Sequence, residues 1–134
     1  MATKVKPDWK AVYDLAHKAG LEAVDKATPT PMVVYESLGL SDIPKPGGKS
    51  WVVPSGLCGF AWIVITPATS SFVRFLKAKG IGRKHYYGGW SIWVPSLFSD
   101  ARDQSVEYKE AYARAFASVL REHGITARAE SRLD

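Results

Sequence analysis

The residues best suited to bind a ligand form one short run in the middle of the chain. The run Arg83-Lys84-His85-Tyr86-Tyr87-Gly88-Gly89-Trp90 places two permanent cations beside three aromatic rings. Aromatic rings stack on nucleobases, and arginine and lysine side chains bind phosphate oxygens. A surface hairpin whose tyrosines pack on the edge of the core would have the same sequence. The run therefore predicts either a site for an anionic ligand with flat rings or such a hairpin.

The distribution of charge favours the ligand site. The 134 residues carry a formal net charge of +5, from 18 Lys and Arg against 13 Asp and Glu. Residues 1–42 and 100–134 each have a net charge of −1, whereas residues 43–99 hold seven basic and no acidic residues. This segment also holds four of the five tryptophans. It therefore indicates an anionic partner with flat rings, and it lacks carboxylates for acid–base catalysis.

Residues outside the run extend the candidate site. Residues 102–105 precede the last predicted helix, whose N-terminal N–H groups suit a phosphate, although helix capping is the alternative. Lys109 lies on that helix off its apolar stripe, where a solvated charged face is the simpler interpretation. The candidate ligand-binding residues are Phe75, Arg83, Lys84, Tyr86, Tyr87, Gly88, Arg102, Gln104, Ser105, Lys109 and Arg132.

Few other residues could carry catalysis. The single cysteine, Cys58, lies in an apolar stretch, so we expect a buried thiol and a reducing compartment. His17, His85 and His123 lack metal-ligand spacing, and His123 precedes a glycine that ends a helix, where a cation suits the helix dipole. Gly47-Gly48-Lys49-Ser50 precedes a predicted strand, unlike a phosphate-binding loop. We therefore expect no metal, no cofactor and no enzymatic activity.

Hydrophobic periodicity predicts the elements that position these groups. Helices are predicted over residues 9–27, 67–79 and 105–123, strands over 32–35, 50–54, 57–65, 90–94 and 125–131, and loops over 37–49 and 95–103. Both faces of residues 57–65 are apolar, so we expect a central strand covered on both sides. The order predicts a single α+β domain, residues 1–134, with a largely antiparallel sheet, an N-terminal helix, a middle helix and a long C-terminal helix.

The sequence also bears on location. The longest apolar run, residues 60–65, has the length of a strand and falls far short of the roughly 18 apolar residues of a membrane span. The first four residues contain no apolar signal core. We therefore expect a cytoplasmic protein without a membrane partner.

Several motifs together resemble a known family. They are Gly56-Leu57-Cys58-Gly59-Phe60-Ala61-Trp62, a Phe-rich helix, Tyr86-Tyr87-Gly88-Gly89, an Ala/Tyr-rich helix ending near His123-Gly124-Ile125, and the C-terminal Ser131-Arg132-Leu133-Asp134. Over roughly residues 8–134 the chain resembles the first-described anti-Thoeris sponge family of small phage proteins. The resemblance implies a non-enzymatic protein of the host cytoplasm that sequesters glycocyclic ADP-ribose and the cyclic di- and trinucleotides of CBASS immunity. It also implies a hexamer built from dimers, with pockets at subunit interfaces.

Three other classes of function fit the same residues. A single-stranded nucleic-acid-binding module would use the same cations and rings, and its affinity would fall steeply with salt. A small phage inhibitor would instead use its aromatic residues in a protein interface. A small hydrolase of the signal would need an acid or a histidine that the sequence does not single out.

Overall fold

The computed structural model of the chain describes residues 7–37, 39, 43–54 and 56–134. Residues 1–6, which include the four N-terminal residues without a predicted signal core, and positions 38 and 40–42 of the first predicted loop lie outside the described residues. In chain order the elements are α1 (Trp9–Lys26), β1 (Met32–Tyr35), β2 (Ser50–Val53), β3 (Gly59–Thr66), α2 (Ser71–Ala78), β4 (Arg83–Lys84), β5 (Trp90–Trp93), a 3-10 helix (Ala101–Gln104), α3 (Val106–Glu122) and β6 (Thr126–Leu133). The predicted α+β class with antiparallel sheets and three helices is confirmed.

Helix α1 packs along α3 through its smallest residues. Asp8 caps the helix, since its carboxylate accepts a hydrogen bond of 3.1 Å from the Ala11 N–H. The buried positions include Ala16 and Gly20, which allow a close approach. A Cβ atom at Gly20 would lie only 2.5 Å from Cδ2 of Tyr112 on α3. The small residues of this stripe therefore set the distance between the two helices.

The main sheet has four strands in the order β4-β5-β3-β6, and all neighbours are antiparallel. Helix α2 connects β3 to β4, and α3 connects β5 to β6. These six elements form a β-α-β-β-α-β unit of the split β-α-β type. Strand β3 is a central strand, as the sequence predicts.

The two faces of the main sheet differ in what covers them. Ala61, Ile63 and Ile65 of β3 are buried in the core that the helices build. Because side chains alternate along a strand, Phe60 and Trp62 lie on the opposite face, where they are only half-buried. The prediction that β3 is covered on both sides is therefore wrong at these two residues, because the helices pack on one face only. We call the other side the open face.

The first two strands form a separate antiparallel hairpin. Strands β1 and β2 pair from Met32 opposite Val53 to Tyr35 opposite Ser50. The hairpin exposes Val33, Trp51 and Val52. It therefore adds nothing to the four-stranded sheet that carries the candidate site.

Several predicted details are corrected. Helix α2 begins four residues later than predicted because Ser70 caps it, its hydroxyl accepting from the Val73 N–H at 3.4 Å. The two-residue strand β4 is not predicted by the sequence. Cys58 is exposed and not buried, because it lies just before β3 and not within it. Its backbone forms an isolated antiparallel β-bridge with Ser105. Among the described helices, none has the length and apolar character needed to cross a membrane.

Candidate functional site

Two stacked tryptophans lie at the centre of the open face. Trp62 on β3 is directly opposite Trp93 on β5, and directly opposite residues of antiparallel strands share a face. Their ring centroids are 4.9 Å apart with an angle of 20° between the planes. Phe60 extends the surface, with its ring centroid 5.9 Å from that of Trp93. Phe60, Trp62 and Trp93 form what we call the aromatic platform.

Two arginines reach over this platform from opposite sides. The guanidinium of Arg83, on β4, lies 4.5 Å from the ring centroid of Trp93. The guanidinium of Arg132, on β6, lies 6.0 Å from Trp93 and 5.6 Å from Phe60. Both arginines are exposed, and neither forms an ion pair with a carboxylate of the described residues. Their donors therefore remain available to an anion while the rings hold the two side chains in place.

The hairpin between β4 and β5 forms one wall of the site. The His85 N–H donates to the Gly89 carbonyl at 3.1 Å, and the Gly88 N–H donates to the His85 carbonyl at 3.2 Å. Gly88 and Gly89 have φ values of +100° and +88°, which glycine adopts without strain. Tyr86 and Tyr87 at the tip are 88% and 85% exposed. The alternative of a hairpin whose tyrosines pack on the core edge is therefore wrong. The two exposed rings contact each other edge-on, with their centroids 4.8 Å apart.

The two tryptophans, the two arginines and part of the hairpin line one cleft of about 610 Å³, which we call the platform cleft. Its volume is within the range of small-molecule sites. The residues that line it are Trp62, Arg83, Lys84, His85, Tyr86, Tyr87, Ser91, Trp93, Glu130 and Arg132. The structure thus brings together five of the predicted binding residues, namely Arg83, Lys84, Tyr86, Tyr87 and Arg132.

Glu130 is a residue of the cleft that the sequence did not indicate. It lies on β6 opposite Trp62, whose indole N–H donates to its Oε1 at 2.9 Å. Arg128 donates to its Oε2 at 2.9 Å, and Nε2 of His85 lies 3.3 Å from Oε1. Burial acts to raise the pKa of Glu130, but the hydrogen bonds from Arg128 and Trp62 and the nearby charges outweigh it and lower the pKa. The cleft therefore contains a carboxylate, although positions 43–99 hold no acidic residue.

Two groups of the cleft that could act as a base or a nucleophile, the Glu130 carboxylate and the Ser91 hydroxyl, are already engaged in hydrogen bonds. The Glu130 carboxylate accepts the hydrogen bond that orients Trp62. Nε2 of His85 is close to the same carboxylate but does not form a hydrogen bond with it. This nitrogen is buried without a hydrogen-bond partner among the described residues. The Ser91 hydroxyl is buried and donates to the Arg83 carbonyl at 3.2 Å. The arrangement is suited to holding an anion beside aromatic rings.

Two other predicted residues do not line the cleft. Phe75 is on α2, on the helix side of the sheet, with its ring centroid 6.0 Å from that of Phe72. Gly88 lies in the hairpin turn and shapes the wall without lining the cleft. Phe75 is therefore separated from the open face by the sheet itself.

The predicted phosphate site before α3 is also separate. The Arg102 guanidinium is paired with the Asp100 carboxylate through three hydrogen bonds of 3.0, 3.1 and 2.8 Å, and it lies 4.2 Å from the ring centroid of Phe98. Ser105 is buried, and the Val106 N–H that follows donates to the Leu57 carbonyl at 2.9 Å. The first N–H of α3 is therefore already used, and Arg102 is paired with a neighbouring acid.

Gln104 and Lys109 line a smaller depression beside Cys58, of about 250 Å³. Nζ of Lys109 donates to the Gly59 carbonyl at 3.1 Å and lies 5.0 Å from the ring centroid of Phe60. Lys109 therefore approaches the far end of the platform without lining the platform cleft. The described residues contain no group of three His, Cys, Asp or Glu side chains that could hold a metal ion.

Comparison with known proteins adds no assignment, since no family model, no curated protein and no solved structure matches the chain. The function must therefore be inferred from the residues of the platform cleft.

Proposed function

We propose that the chain binds a small phosphorylated nucleotide in the platform cleft and holds it without cleaving it. The observation that carries the proposal is the pair of arginines, Arg83 and Arg132, above the stacked rings of Trp62 and Trp93. Guanidinium groups bind phosphate through paired N–H donors, and aromatic rings stack on bases. A ligand with both groups would satisfy both parts of the cleft.

The hydrogen bonds of Glu130 and Ser91 support the proposal that the ligand is retained intact. Glu130 accepts hydrogen bonds from Trp62 and Arg128, and the Ser91 hydroxyl donates to the backbone. Neither is presented as an activated nucleophile or base, which nucleophilic and general-base catalysis require.

The biological part of the proposal rests on the resemblance to the anti-Thoeris sponge family. We propose that the ligand is a cyclic nucleotide immune signal, such as glycocyclic ADP-ribose or a cyclic di- or trinucleotide. The protein would sequester the signal in the host cytoplasm and block Thoeris and CBASS signalling. The two arginines reach the platform from opposite strands, which suits a ligand with two phosphates. We also expect a homo-oligomer, which sedimentation would test.

Titration calorimetry against AMP, cyclic ADP-ribose, cyclic di-AMP and a cyclic trinucleotide tests the proposal. We expect binding of at least one cyclic ligand, and the bound ligand should be recovered intact by mass spectrometry after the protein is denatured by heat. Failure of every ligand to bind would overturn the proposal, and recovery of a hydrolysed product would show an enzyme.

Charge-matched variants locate the site. The double variant Arg83→Gln/Arg132→Gln removes the two cleft cations, and each lost charged hydrogen bond should weaken binding by about tenfold or more. The control Arg74→Gln/Arg114→Gln makes the same change in charge on α2 and α3, where these side chains contact the Thr69 carbonyl and Glu110. Equal losses in both variants would indicate general attraction to charge and not this site.

A single-stranded nucleic acid is the second candidate ligand. The platform lies on an open sheet face, and single-stranded nucleic acids bind aromatic surfaces of this kind through successive stacked bases. Binding of a short oligonucleotide would weaken with salt by a logarithmic slope of about 0.7 for each neutralised phosphate. A steep slope, together with tighter binding of the oligonucleotide than of the cyclic ligands, would favour this candidate.

A further inference from the structure

A second cavity adjoins the platform cleft at the edge of the main sheet. It has a volume of about 440 Å³, and we call it the edge cavity. The residues that line it are Tyr13, Ile81, Gly82, Arg83, Ile92, Trp93, Pro95 and Tyr112. Arg83 and Trp93 line both cavities, so the two cavities share a wall at these residues.

The edge cavity exists because β4 is short. Its two residues pair with Trp90 and Ser91, so β5 continues to Trp93 without a β4 partner. The chain that enters β4 is held in place, since the Trp90 indole N–H donates to the Ile81 carbonyl at 2.9 Å. Gly82 has a φ value of +83°, and a Cβ atom there would lie 2.5 Å from the Ser91 carbonyl oxygen. These two contacts hold this wall of the cavity against β5.

The lining of the edge cavity is aromatic and apolar apart from one cation. Burial raises the pKa of the Tyr13 hydroxyl, with a smaller contribution from Asp14, and burial also raises the pKa of the Tyr112 hydroxyl. The Tyr112 hydroxyl is hydrogen-bonded to Nδ1 of His17. Both phenols are therefore neutral, and Arg83 supplies the positive charge. Such a lining suits a planar, uncharged ring next to an anionic group.

We propose that the edge cavity is a second base subsite, so that the ligand is a dinucleotide whose linking phosphate lies at Arg83 with one base in each cavity. The inference rests on the proposed function and adds to it the number of bases and their arrangement. Arg83 is suited to the linking position because it is exposed, lies over Trp93 and forms no ion pair with the described residues.

Filling the edge cavity tests the inference. Ile81→Trp fills it from the β4 side, and Pro95→Trp fills it from the opposite wall, at an exposed residue. Ile43→Trp, on the exposed surface outside both cavities, is the matched control. Calorimetry with AMP and with cyclic di-AMP gives the ratio of the two affinities for each variant.

We expect wild type and Ile43→Trp to prefer cyclic di-AMP over AMP by about five- to 150-fold, the value of one stacked base. In the two filled variants the preference should disappear, so that cyclic di-AMP and AMP bind with about equal affinity. An unchanged preference in both filled variants, or equal affinities in wild type, would overturn the subsite while leaving the proposed function intact. Failure of wild type to bind either ligand, or any other nucleotide tested, would overturn both.

Discussion

Removal of one ring, Trp93, should disable the site more than any other single substitution. Trp93 stacks on Trp62 at 4.9 Å, lies 4.5 Å beneath the guanidinium of Arg83 and 6.0 Å from that of Arg132. Trp93→Ala would remove the ring that lies between Trp62 and Arg83. The disturbed ring surface is worth about 1–3 kcal/mol per base, and the lost support of the arginines about 0.5–1 kcal/mol. The combined loss of about 1.5–4 kcal/mol corresponds to a roughly 13- to 900-fold weaker binding of cyclic di-AMP.

Titration calorimetry of three variants would measure this loss. Trp93→Phe keeps a ring at the position and should recover most of the affinity. Trp51→Ala is the matched control, since Trp51 is 52% exposed on β2 and lies outside the platform cleft. Circular dichroism of each variant would verify that the fold is retained. Affinity of folded Trp93→Ala within about twofold of wild type would refute the role of the platform, since a lost stacking contact costs more than that.

Three further predictions concern the fold. Gly20→Ala should lower the free energy of unfolding by about 1–3 kcal/mol in urea, because the new Cβ meets the Tyr112 ring at 2.5 Å; an unchanged midpoint would contradict this packing. Asp103→Ala should cost about 1–3 kcal/mol, because the carboxylate accepts backbone hydrogen bonds that include one of 3.0 Å from Phe98; a loss below the error of urea titration would contradict it. The backbone hydrogen bond from Phe98 lowers the pKa of Asp103 below its ordinary 3.8, and the pKa of Glu130 lies below its ordinary 4.5. The stability that these two groups add should therefore be complete above about pH 5 and should disappear as the pH falls through their lowered pKa values, with a smaller fall in Asp103→Asn.

The sequence was informative where chemistry and position are local. The run of residues 83–90 supplies four residues of the platform cleft that were predicted from charge and aromaticity. The apolar character of residues 57–65 correctly predicts a central strand. These patterns are carried by neighbouring residues, so no tertiary information was needed to find them.

The rest of the site depends on pairing between distant strands. Glu130 meets Trp62 across 68 positions because β6 returns beside β3, and a count of acids within one segment could not anticipate that pairing. Periodicity also does not say which apolar face the helices cover, which is why Phe60 and Trp62 were predicted to be buried. The sequence analysis predicts a phosphate as the partner of Arg102. In the structure the partner is Asp100, which lies only two positions earlier in the sequence.

The indole N–H signals of the five tryptophans offer the most direct test of binding on the open face. Trp62 and Trp93 lie on the platform, whereas Trp9 packs at Phe72 on the helix side and Trp51 lies on the separate hairpin. In a proton–nitrogen NMR titration with cyclic di-AMP, we predict that the Trp62 and Trp93 signals shift while those of Trp9 and Trp51 stay in place. Unmoved Trp62 and Trp93 signals at saturating ligand would contradict the central claim.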